Sequence, residues 1–147
     1  MSPERRAALD RAYRAALYQV QLPGAVLTLR IGPPDGAAEA RLVAAAGCRR
    51  GWALVTPCNP WSEPLDDAEN LRLYNALKDE LAALSQPWLP SLHRDPAGVW
   101  PDEPGCLLLD PPPGLAVELG RRYRQNAVVT AELGQTSRLI WLDDAAL

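Results

Sequence analysis

A chain of 147 residues is the size of one domain able to bury its own core, so residues 1–147 are expected to fold as a single domain. With 48% hydrophobic and 22% charged residues it reads as globular rather than disordered, and it has neither an apolar run near the ~20 residues of a membrane helix nor an apolar signal region at its N-terminus. A net charge of -3 gives no sustained basic surface for duplex nucleic acid, and the expectation is a cytoplasmic protein with no membrane and no duplex nucleic-acid partner.

Ser2-Pro3 caps a first helix carrying Leu9, Ala12, Tyr13, Ala16 and Leu17 at helical spacing. The period then changes. Tyr18, Val20 and Leu22 alternate, Pro23-Gly24 suits a turn, and Val26 to Ile31 is rich in branched residues, which predicts a β-hairpin. Asp35 caps a second helix running to Ala46, and Gly47 ends it. Gly51 to Pro57 reads as a buried strand.

The stretch TPCNPWSEPLDDAEN, residues 56–70, follows that strand. Asp66 and Glu69 have capping-box spacing, and Leu71, Tyr74, Leu77, Leu81 and Leu84 predict one apolar stripe on a long helix. At ~100° per residue Asn70 falls in the middle of that stripe, so its amide points inward and needs a partner. Residues 85–104 hold five prolines and no regular pattern, which predicts a long functional loop. Cys106 to Leu109 reads as a strand, Pro111-Pro112-Pro113 leads into a helix with Leu115, Ala116, Leu119 and Tyr123 on one side, and a hairpin around Gly134 closes the chain. The expected fold class is α/β or α+β, a sandwich with a mixed sheet of about five or six strands, three or four helices, and hairpins at both ends.

The 56–70 loop is the first place to look for chemistry. Asn59 and Ser62 are compact donors and acceptors on a backbone stiffened by Pro57, Pro60 and Pro64, although asparagine and proline also build ordinary turns. Glu63, Asp66, Asp67 and Glu69 crowd the start of the following helix and argue against a phosphate there, and no Gly-rich phosphate loop occurs. No metal and no cofactor are expected: the acidic pair has a simpler job as a cap, and the single histidine, His93, has no ligand partner in the sequence. Cys58 with His93 is the one pair available for covalent catalysis, but small cysteines are common in packed loops. Trp61, Trp88 and Trp100 fall outside the predicted elements, where they can stack on a ligand, anchor a partner or hold a long loop down. Gln125-Asn126 stands just before a buried strand, with Asn126 also suited to ending the helix.

Taken in order, Thr56 with Asn59-Pro60 and Ser62, then Glu69-Asn70, then Gly98-Val99-Trp100 with Glu103, then Gln125-Asn126-Ala127, the chain resembles the bacterial domain-of-unknown-function family 3293, from about Tyr13 to Leu139. The resemblance carries no activity. It implies that Asn59, Pro60, Ser62, Asn70, Trp100, Glu103, Gln125 and Asn126 share a purpose. Pro104-Gly105 follows Glu103 where the family pattern has a serine, so a catalytic serine at that point would be missing from this chain.

The sequence therefore predicts a polar pocket for a neutral or cationic small molecule or nucleoside-like group. Asn59, Ser62, Asn70, Trp100, Gln125 and Asn126 would bind the ligand, and Glu103 would be the catalytic acid or base, since a carboxylate beside tryptophan and proline has reason for a raised pKa. The alternative is a protein-interaction module whose partner docks on the Trp- and Pro-rich loops. A third reading makes the amides a structural network, already saturated by backbone groups.

Overall fold

The computed structural model describes residues 1–143. The first helix, α1 (Pro3–Ala15), begins where the Ser2 side chain accepts from the Arg5 backbone N–H, and proline occupies its first position. The hairpin β1 (Leu17–Leu22) and β2 (Ala25–Leu29) follows, then α2 (Gly36–Ala46), capped by Asp35 and closed by Gly47 at φ 72. Strand β3 (Gly51–Val55) is buried along its whole length. A 3₁₀ turn at Pro60–Ser62 leads into α3 (Asp67–Ala83), whose Asp66 cap accepts from Glu69 N. The chain ends with β4 (Trp88–Arg94), β5 (Glu103–Leu109), α4 (Leu115–Arg122), β6 (Ala127–Glu132) and β7 (Arg138–Trp141).

The strands form one sheet in the order β2-β1-β4-β5-β3-β6-β7. Its two faces bury different clusters. One carries Tyr18, Val20, Leu27, Trp52, Leu54, Leu107 and Val129 against α2, with Leu9 and Tyr13 of α1 packed near Ala127 and Trp141. The other carries Ala53, Val55, Cys106, Leu108 and Val128 against Leu77 and Leu81 of α3 and Ala116 and Leu119 of α4. Leu42, Leu77 and Leu81 are at most 1% exposed, and burying each contributes about 1.5–3 kcal/mol.

The α+β class, the four helices and both terminal hairpins match the sequence expectation. The sheet has seven strands rather than five or six, and every neighbouring pair is antiparallel rather than mixed. The additional strand comes from the proline-rich stretch. Residues 85–104 are not a structureless loop, because Trp88–Arg94 and Glu103–Leu109 pair as a hairpin. Proline is tolerated where a strand faces no ladder partner, and both prolines, though paired across the β4–β5 ladder, lie where the ladder to the other neighbour has stopped. The β1 ladder on β4 stops at Ser91, next to Pro90, and the β3 ladder on β5 stops at Cys106, before Pro104. Asp95 ties the connection together by accepting from the backbone N–H of Ala97, Val99 and Trp100 at 2.9–3.0 Å. The α3 stripe also needs correction: Leu71 and Leu84 are 60% and 53% exposed, and the inward line is Asn70, Tyr74, Leu77 and Leu81.

Candidate functional site

An antiparallel sheet brings strand starts and strand ends to the same edge. Here the ends of β3 and β4 meet the starts of β1, β5 and β6 beneath α1. Register places Tyr18 opposite His93, and His93 opposite Glu103, so the three side chains form a row on the face that α1 covers. The Tyr18 and His93 rings meet edge-on at 5.0 Å. Two residues along β5, a Cβ at Gly105 would lie 2.8 Å from His93 Nε2 and 2.7 Å from the Val55 carbonyl oxygen. Only glycine fits that point, and the space it leaves lets His93 Nε2 reach Ser91 Oγ at 3.1 Å.

The loop after β3 brings Asn59 to Glu103. Thr56 Oγ1 donates to the Pro104 carbonyl at 2.8 Å, joining the loop's root to β5, and Asn59 adopts a left-handed conformation, φ 48 and ψ 62. Its amide is held from several sides. Asn59 Oδ1 accepts from Leu65 N and from Asn70 Nδ2, both at 2.9 Å, while the Asn59 backbone N–H donates to Asn70 Oδ1 at 2.9 Å. A backbone N–H can only donate, so these contacts fix the orientation of both amides. The Asn59 NH₂ is thereby aimed at Glu103 and donates to Oε2 at 2.7 Å.

Trp61 and Ser62 are also left-handed, at φ 58 and φ 60. Such residues cost about 1–3 kcal/mol each and persist only where their surroundings over-determine them. Three straps to the α4–β6 junction do so. Gln125 Nε2 donates to the Cys58 carbonyl at 3.0 Å, Asn126 Nδ2 to Ser62 Oγ at 2.9 Å, and Trp61 N to the Arg124 carbonyl at 2.8 Å.

Between this loop, the strand edge and α1 lies a cavity of about 80 Å³. Leu9, Ala12, Tyr13 and Ala16 of α1 line it on one side, with Tyr18 and His93 from the sheet and Asn59, Ser62, Trp100 and Glu103 from the loops and the start of β5. The Tyr13 hydroxyl is set against Ser62 and the Ala127 backbone, and the Tyr18 hydroxyl donates to the Tyr13 carbonyl at 2.9 Å.

Protonation follows from burial. Desolvation pushes the Glu103 carboxyl up to about 7, and the Asn59 hydrogen bond only partly opposes this. Desolvation lowers His93 to about 4, leaving a neutral imidazole at pH 7. Burial likewise raises both tyrosines, and it pushes the Cys58 thiol up to about 11. The Cys58 thiol contacts the Pro104 carbonyl at 3.6 Å, and a protonated, buried thiol lacks the thiolate character of a nucleophile.

Of the residues singled out in the sequence, Asn59, Ser62, Trp100 and Glu103 line the cavity. Asn70, Gln125 and Asn126 stand behind it and hold the loop. Trp88 packs on the α3/α4 face and Trp100 on the α1 face, while Trp61 is 53% exposed, so the three indoles form no common patch. Tyr13 and Tyr18 join the site only in the folded structure. The legible signal was the alternation Glu103-x-Gly105-x-Leu107 beside Ser91-x-His93, which puts a carboxyl and an imidazole on one face once the two strands are paired.

No curated protein and no solved structure matches the chain. Among the described residues no helix is long and apolar enough to cross a membrane. The model of the family described as "Protein of unknown function (DUF3293)" matches residues 55–128, a span that contains the 56–70 loop, the β4–β5 hairpin with Glu103, and the Gln125-Asn126 straps. That match covers half of the sequence, and the chain belongs to the DUF3293 family.

Proposed function

We propose that the protein binds a small molecule, a neutral or cationic compound or a nucleoside-like group, in the cavity beneath α1, with Glu103 as the acid or base that meets it. The observation that carries this reading is the carboxyl itself. Glu103 stands at the cavity wall among aromatic rings, receives one fixed hydrogen bond from Asn59, and has burial as the main influence on its protonation. A carboxyl raised to about 7 can give or take a proton near neutral pH, as general acid–base chemistry requires. Asn59, Ser62 and Trp100 would touch the ligand; Asn70, Gln125 and Asn126 would position Asn59 and Ser62.

The alternative, a protein partner docked on the Trp-bearing loops, has less support because Trp88 and Trp100 lie on opposite faces of the sheet. A screen of amines, nucleosides, amino acids and sugars by thermal shift and amide chemical-shift perturbation tests the proposal. A ligand should perturb residues around Tyr13, Asn59 and Glu103, and Glu103→Gln should weaken it at least ~10-fold. Binding that leaves those resonances unmoved, or is indifferent to Glu103→Gln, counts against it.

A further inference from the structure

We infer that the cavity takes the head of an organic ammonium ion, a primary or secondary amine in its protonated form carried on an apolar body, with the Glu103 carboxylate as its counter-ion. This rests on the cavity being a ligand site and narrows what the ligand must be.

Most polar groups around the cavity already have partners. Asn59 spends its amide on Glu103, Leu65 and Asn70. The Tyr18 hydroxyl is used by the Tyr13 carbonyl, and Ser62 Oγ accepts from Asn126. His93 Nε2 is engaged by Ser91. Among the described residues, Asn59 alone donates to the Glu103 carboxyl, and it does so to one oxygen. The second Glu103 oxygen is therefore an acceptor in the wall, and a ligand that brings a donor satisfies it.

Charge decides what kind of donor. Of the cavity's charged residues, Arg94 faces Asp102 at 3.6 Å, and Asp95 is held below the usual carboxylate range by the backbone N–H groups of Trp100, Ala97 and Val99. His93 is neutral. With Arg94 taken by Asp102, Glu103 and Asp95 stand in the wall without a lining guanidinium to spare, and among the described residues an ionised Glu103 has no ion pair. An anion is repelled, while a cation supplies the missing charge. The rings of Tyr13, Tyr18 and Trp100 in the cavity wall suit a cation and its apolar stem. About 80 Å³ admits a head group of a few non-hydrogen atoms rather than a whole cofactor. One free oxygen favours a single N–H···O contact, which a quaternary ammonium cannot make.

The test is titration of the full chain with n-butylammonium, tetramethylammonium and butyramide between about pH 5.5 and 8.5, followed by calorimetry and amide resonances. Around Glu103, the Tyr13 and Tyr18 phenols and the Cys58 thiol stay protonated through this range, and His93 stays neutral, so Glu103 is the group in the wall that changes charge. Butylammonium affinity should rise about tenfold per pH unit up to about 7 and then level off. Glu103→Gln should weaken it at least ~10-fold and flatten the profile, and tetramethylammonium should bind more weakly than butylammonium. Trp100→Ala, which leaves the carboxyl in place, should weaken butylammonium more than butyramide. Butyramide binding as tightly as butylammonium, or ammonium affinity falling as pH rises through 7, overturns the cation while leaving the cavity a ligand site. If none of the three compounds moves a resonance around the cavity, both readings fall.

Discussion

Strand β5 has a carboxylate at each end, and the two have opposite fates. Asp110, just past its C-terminal end, accepts from the backbone N–H of Arg49, Arg50 and Gly51 at 2.7–3.1 Å. Burial raises its pKa, but those donors and the Arg50 guanidinium outweigh it, and the carboxyl lies below its ordinary value. Glu103, at the other end, has one donor, and burial wins. Each has a buried cysteine nearby, Cys48 at 3.8 Å from Asp110 and Cys58 close enough for Glu103 to raise it, and each thiol is pushed up to about 11. The same residue chemistry is spent on structure at one end of the strand and left available at the other.

The largest expected effect is at the structural end. Asp110→Ala removes a charged acceptor from several backbone donors and leaves alanine in a left-handed conformation, φ 48, and should cost about 3 kcal/mol in urea denaturation. A loss near zero would mean the two carboxylates differ less than their hydrogen bonds indicate. Asn70→Ala should cost about 1–2 kcal/mol, because the Asn59 backbone N–H and Oδ1 each lose a partner. It should also raise the Glu103 pKa further, since a loosened Asn59 donates less well to the carboxylate.

The two ends of β5 also differ in how they link stability to pH. Glu103 has a folded pKa near 7, above the ordinary 4.5, so the folded state holds the extra proton between those values and stability falls as pH rises through that window. His93 runs the other way. Its folded pKa near 4 lies below 6.5, so the unfolded state takes the extra proton and stability rises with pH across that range. The two slopes oppose each other between about 4.5 and 6.5, and Glu103→Gln should uncover a rise of about 1 kcal/mol per pH unit there. Asp110 contributes stability above its ordinary 3.8 that is lost as pH falls through its lowered folded value. The smallest effect concerns the thiols: Cys48, Cys58 and Cys106 are all buried and protonated, and a thiol reagent at neutral pH should label all three equally slowly. Rapid labelling of Cys58 alone would give the Glu103 end a nucleophile that the present account denies it.

The fold was legible wherever a local signal specified it. Ser2, Asp35 and Asp66 cap the helices they were expected to cap, and Asn70 turns inward. What local reading missed depends on pairing. Nothing local in Trp88–Arg94 says that the ladder to β1 stops before Pro90, and the α3 stripe is narrower than its leucines suggest because Leu71 lies ~100° round the helix from Asn70 and Leu84 is the cap residue beyond the last turn. The candidate residues were legible as chemical types, whereas their division into cavity wall and loop straps was not. Gln125 and Asn126 reveal their partners only when the α4–β6 junction reaches the 56–70 loop, and the row of Tyr18, His93 and Glu103 exists only in the register of three strands. Asp110 gave no warning because its partners are backbone groups about 60 residues away.

The most direct test of the account is the titration of the Glu103 carboxyl itself, followed by ¹³C resonances of glutamate side chains and assigned by comparison with Glu103→Gln. An inflection near pH 7 that the variant lacks is expected. An inflection at or below the ordinary 4.5 would mean that the carboxyl is solvated or fully paired, and would contradict the claim that this end of β5 holds its chemistry in reserve.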